Sequence, residues 1–140
     1  MIELVAVGSI MKRGISILVV LSIFVTGLAS GKDLELKNKI GEYNVEIRLN
    51  RNPPIIGNNP IEVQIKDSRG QAIKDAGVVI NYYMPPMPRM APMNYVIPTE
   101  ADRTSYRAIM KFIMSGPWVI AIKITSEGKT RTAKFHIDVP

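Results

Sequence analysis

At 140 residues the chain has room for one ordinary domain and too little for two. It holds no cysteine, which removes disulfides, thiolate metal sites and cysteine nucleophiles together, so its core alone must hold the fold. The 18 Lys and Arg against 12 Asp and Glu give a net charge of +6, yet the basic residues stand singly. They form no stripe with interleaved aromatics, which argues against a nucleic-acid partner and for a solvated surface with weak attraction to anionic membranes.

The first thirty residues read as an export signal. Lys12 and Arg13 precede an uncharged, mostly apolar run from Gly14 to Leu28, and Gly27-Leu28-Ala29 supplies small residues for a cut after Ala29. Residues 1–29 are therefore expected to be a signal peptide, with Met11 the better initiator, and residues 30–140 the domain. The apolar run, about 15 residues, is short of the roughly 20 a spanning helix needs. A retained anchor is the alternative. With no cysteine at its end the segment does not read as a lipoprotein signal, and the expected location is the periplasm or cell envelope. After cleavage 16 Lys and Arg would face 11 Asp and Glu, a net charge of about +5, because Lys12, Arg13 and Glu3 leave with the signal.

From residue 33 onward short runs alternate apolar with polar residues, the pattern of half-buried strands. After "LELK" near residue 34 comes "EYNVEIRL", with Tyr43, Val45, Ile47 and Leu49 on one face. "NRNPPIIGNNP" reads as a loop, because paired prolines lack amide donors and Gly-Asn-Asn favours turns. "PIEVQIKD" is the next strand and "KDSRGQ" a tight turn. "GVVINYYM" is more continuously apolar, as a strand covered on both faces would be. Then come "NYVIP", "TSYRAIMKFIM", a turn at "SGP", "WVIAIKIT", a turn at "SEGK" and finally "TRTAKFHIDV". Ala133, Phe135, Ile137 and Val139 share one face of that last run, Thr132, Lys134, His136 and Asp138 the other.

Seven or eight short strands, turns every 8 to 12 residues and no helical spacing predict an all-β, immunoglobulin-like antiparallel β-sandwich of about seven strands. A closed barrel is the alternative, less favoured because the hairpins are irregular in length. Trp118 is expected at the centre of the core, and Met110 and Met114 in the core beside Phe112.

One stretch does not fit a plain sandwich. "NYYMPPMPRMAPMNY" places Met84, Met87, Met90 and Met93 at intervals of three with Pro85, Pro86, Pro88 and Pro92 between them. Three is the period of a polyproline II helix, so the thioethers would share an edge, and neutral thioethers suit soft Cu(I). At about 3.1 Å per residue, however, successive methionines lie roughly 9 Å apart, so a single ion requires the loop to fold back, with Pro85-Pro86 and Pro92 as candidate bends. Arg89 places a positive charge in the middle. The competing reading makes the methionines flexible apolar fillers at the end of the sandwich, or an adaptable contact surface.

For catalysis the chain offers little. His136 is its single histidine, on the solvent side of the last strand; no nucleophile-elbow motif occurs, and the carboxylates are scattered. No enzyme activity and no small-molecule substrate are expected.

The segments "GEYNVEIRL", "PPIIGNNPIEVQIKDSRGQAIKDAGVVI", "YYMPPMPRMAPMNY" and "YRAIMKFIMSGPWVIAIKI" together resemble the YtkA-like domains, a bacterial family related to the FixH group. The Met-Pro-Pro-Met run and the F-x-M-x-G-x-W pattern at Phe112, Met114, Gly116 and Trp118 carry most of the likeness. It implies an immunoglobulin-like domain in the cell envelope, with a membrane protein partner in heavy-metal efflux or in copper delivery to a respiratory oxidase. It also implies Met84, Met87, Met90 and Met93 as ligands for Cu(I) or Ag(I), while Met114, Gly116 and Trp118 fit a turn and the core. The chain departs from that family pattern in two ways: Arg89 stands where a small residue would leave the loop more open, and no histidine lies within the loop to help hold Cu(II).

Overall fold

A computed structural model describes residues 33–140; the expected signal segment 1–29, its cleavage and the start at Met11 lie outside the described residues. Among the described residues nine strands build two antiparallel sheets: β1 (Leu34–Ile40), β2 (Tyr43–Leu49), β3 (Gly57–Lys66), β4 (Gly77–Tyr83), β5 (Asn94–Pro98), β6 (Glu100–Asp102), β7 (Ser105–Phe112), β8 (Gly116–Ser126) and β9 (Lys129–Val139). One sheet has the order β1-β2-β3-β7-β6 and the other β5-β4-β8-β9. The all-β sandwich read from alternation is thus the observed architecture. Among the described residues no helix is long and apolar enough to cross a membrane.

Each alternating run buries its apolar face between the sheets. Val45, Ile47 and Leu49 of β2 meet Ile61, Val63 and Ile65 of β3 on one side, and Ile80, Ile120, Ile122 and Ile124 line the other, all nearly inaccessible. At about 1.5–3 kcal/mol per fully buried large apolar side chain, this face supplies the main driving force for a chain without cross-links. Trp118 and Phe112, the largest fully buried side chains, lie towards one end of this core rather than at its centre, where β7 ends and β8 begins. Met110 is fully buried with them, while Met114, beyond the end of β7, is only half-buried.

Several details differ from the sequence reading. β6 was not expected: three residues are too few to show alternation, and it follows β5 across the single residue Thr99, whose hydroxyl donates to the Val78 carbonyl at 2.7 Å. β3 begins at Gly57, inside the expected loop. Asn59 makes this possible: wholly buried, it accepts from the Ile55 amide at 3.0 Å and donates to the Ile55 and Gly57 carbonyls at 2.7 and 2.9 Å. The polar backbone of a tight bend is thereby satisfied inside the protein. β4 is not covered on both faces: Val78, Ile80 and Tyr82 are buried, but Val79, Asn81 and Tyr83 are half-exposed. The strand with both faces closed is β8, where Val119 and Ala121 are buried as well.

Some of the scattered charges pair across the exposed face of the five-stranded sheet. Arg48 faces Glu35, with Nε 3.1 Å from Oε1 but without hydrogen-bond alignment, and Arg107 Nε lies 3.1 Å from Asp102 Oδ2. Such partly exposed pairs contribute about 0–1 kcal/mol each, so they decorate a fold that its core stabilises.

Candidate metal centre

The methionine loop links the end of β4 to the start of β5. Two antiparallel neighbours must be joined by a reversal, and the chain supplies it at Pro88-Arg89. The Met90 amide donates to the Met87 carbonyl at 3.3 Å, and Arg89 takes a φ of 66°. Proline at the second position and a left-handed residue at the third is the signature of a type II turn, normally given to Gly or Asn. The neck is closed by the Met84 amide donating to the Met93 carbonyl at 3.2 Å. Below it the Asn81 side-chain amide donates to the Tyr95 carbonyl at 2.9 Å and to Asn94 Oδ1.

The loop is therefore a folded hairpin rather than an extended polyproline ribbon, and its bend falls between Met87 and Met90, not at Pro85-Pro86 or Pro92. Met84, Met87, Met90 and Met93 all line one open cavity of about 350 Å³, with Pro85, Pro86 and Tyr83 among the other walls. Their burial is graded. Met84 is 7% exposed and belongs to the core; Met87 and Met93 are half-buried against it; Met90, at the tip, is 38% exposed.

The methionines give this cavity soft, uncharged donors, beside the side-chain amides of Asn81 and Asn94, which bond to each other. Among the described residues no group of three or more His, Cys, Asp or Glu could hold a metal ion. His136 is exposed on β9, paired in register with Val119, and is not among the residues lining the cavity. Four thioethers with no carboxylate match a monovalent soft ion and give little to a hard divalent one. Arg89 is exposed at the tip, so solvent screens its repulsion of a bound cation.

Under the loop lies an aromatic floor that the sequence reading did not assemble. Tyr82 stacks on Tyr95 at 5.2 Å between centroids and meets Phe112 edge-on at 5.7 Å, and Phe112 lies 5.1 Å from Trp118. The Trp118 indole donates to the Met114 carbonyl at 3.1 Å, and the Tyr82 hydroxyl accepts from the Lys111 amide at 3.1 Å. The rings give the hairpin a stiff base, in which the Tyr82 hydroxyl and the Trp118 indole N–H both have partners. The signal was present: Tyr82 precedes Met84 by two residues and Tyr95 follows Met93 by two, which puts all four on inward positions of two paired strands.

The family profile of YtkA-like domains matches residues 37–123, well over half of the chain. The chain belongs to the YtkA-like family. The matched span of this YtkA-like domain includes the methionine loop and the Phe112 to Trp118 segment but stops before β9. Among solved structures, the soluble domain of PmoD from Methylocystis sp. ATCC 49242 (Rockwell) is similar, with a TM-score of 0.54 and 15% identity over 75% of this chain and 97% of that chain. At that identity the likeness speaks for the fold, and it reinforces the two-sheet assignment. A search of the curated proteins gave no match.

Proposed function

We propose that this YtkA-like domain is a non-enzymatic protein of the cell envelope that binds Cu(I), or Ag(I), as cargo through Met84, Met87, Met90 and Met93 and exchanges it with a membrane partner. That partner would belong to an efflux system or an oxidase assembly. The observation that carries this reading is the hairpin: all four loop methionines line one cavity at the end of the sandwich. Thioethers need no deprotonation, so binding releases no proton and loading is insensitive to pH where an imidazole site would titrate. Neutral ligands also leave one at a time, which suits exchange over storage.

Anaerobic titration of the protein with Cu(I) against a chromogenic chelator tests the reading. One equivalent should bind, and replacing all four loop methionines by leucine, a volume-conserving change, should weaken it by about 100-fold or more. Equal affinity in that variant would remove the proposal.

A second reading has its own support. Met84, Met87 and Met93 pack against the core, and adaptable thioether side chains serve partner surfaces as well as ions. On that reading leucine replacements preserve capture of the envelope partner, whereas Met90→Asp abolishes it.

A further inference from the structure

The F-x-M-x-G-x-W segment is left without a part in the proposed site, although it lies directly beneath the loop. Gly116 opens β8 at a φ of 128°, a conformation L side chains rarely adopt, and Met84 approaches it closely. A Cβ placed on Gly116 would stand 2.7 Å from Met84 Cε, nearer than real methyl contacts come. The hydrogen atom of glycine is thus the space into which the Met84 methyl is seated. Phe112 and Trp118 form the ring floor on either side of this point in sequence, and the Trp118 indole holds the Met114 carbonyl, fixing the bend that delivers Gly116.

We infer that Gly116 is a positioning residue of the methionine site: it sets the depth of Met84, and through Met84 the cavity's innermost thioether. This rests on the metal reading above. The contact is with the far end of a flexible side chain, so a methyl group at Gly116 moves Met84 rather than the strands. The left-handed φ adds a separate strain that falls on the fold alone. These two effects predict different readouts.

A double-mutant cycle on Cu(I) affinity, with Gly116→Ala and Met84→Leu singly and together, separates them. In the wild-type background Gly116→Ala should weaken Cu(I) binding about 10-fold, the scale of an outer-shell change. In the Met84→Leu background the same substitution should change it less than about 2-fold, while its cost in thermal stability persists in both. The wild-type protein also carries a test that needs no substitution. With methionine methyls labelled with carbon-13, an NOE between the Met84 methyl and the Gly116 α protons is expected, and its absence would overturn the inference. An equal affinity loss in both backgrounds would overturn it while leaving the metal reading intact. A wild-type protein that ignores Cu(I) would overturn both.

Discussion

Tyr106 shows how a single side chain ties two segments of this fold together. Its hydroxyl donates to the Ile73 carbonyl at 2.8 Å and accepts from the Ala76 amide at 3.1 Å, pinning the stretch between β3 and β4 onto β7. Burial pushes the phenol above its ordinary 10.0 and the Asp75 carboxylate adds in the same direction, against the Ala76 hydrogen bond, which works to lower it. The folded state thus holds this proton more tightly than the unfolded chain. The stability it confers is complete below pH 10 and drains away as pH rises through the higher folded value. Tyr106→Phe should cost roughly 1–3 kcal/mol at pH 8, because two backbone groups lose a buried partner. Urea denaturation of both proteins from pH 8 to 11.5 checks it: the gap should narrow above pH 10, and a constant gap would contradict the account. Nothing in the sequence marked Tyr106 beyond its place in an alternating run. The loop methionines were easier to read. Met84 continues the inward series Val78, Ile80, Tyr82, and Met93 begins the series that Tyr95 and Ile97 extend, so their burial followed from period two. Met87 and Met90 have no strand to inherit a face from, and their arrangement depended on a turn with Arg89 in a conformation normally left to glycine.

At the scale of elements, the strands were legible wherever a run was long enough to alternate, and their ends were not. Gly57 to Pro60 has the composition of a turn, yet it forms the first part of β3 because a buried Asn59 satisfies the neighbouring backbone. The three residues of β6 carried no pattern at all. β9 gives the sharpest test of what the sandwich needs. It lies beyond the segment the family profile matches, but it pairs with β8 along its full length, from Gly116 with Val139 to Ser126 with Lys129, and adds Ala133, Phe135, Ile137 and Val139 to the core. Losing three large apolar side chains at about 1.5–3 kcal/mol each, and baring β8, removes most of the 5–15 kcal/mol that ordinary domains have. A chain ending at Glu127 should show no cooperative thermal transition by circular dichroism. A sharp melt within a few degrees of the full-length protein would contradict this.

At the scale of the whole molecule, the division of labour is between a sandwich stabilised by aliphatic burial and a hairpin at one of its ends lined with sulfur. Composition and alternation disclosed the first. Assigning strands to sheets was beyond them, because the crossing from β5 to β6 falls on the single residue Thr99 and leaves no periodic trace. The second was legible as a chemical oddity, four thioethers at a spacing of three, but its geometry came only from the reversal at Pro88-Arg89. The central claim is that these thioethers together hold a cuprous ion, and the first coordination shell of the metal is its most direct witness. X-ray absorption at the copper edge of the protein loaded with one equivalent of Cu(I) should give a shell of three or four sulfur atoms at roughly 2.3 Å, with no nitrogen or oxygen, as neutral soft ligands require. A shell dominated by nitrogen or oxygen, or a spectrum unchanged when Met84, Met87, Met90 and Met93 are all leucine, would contradict it.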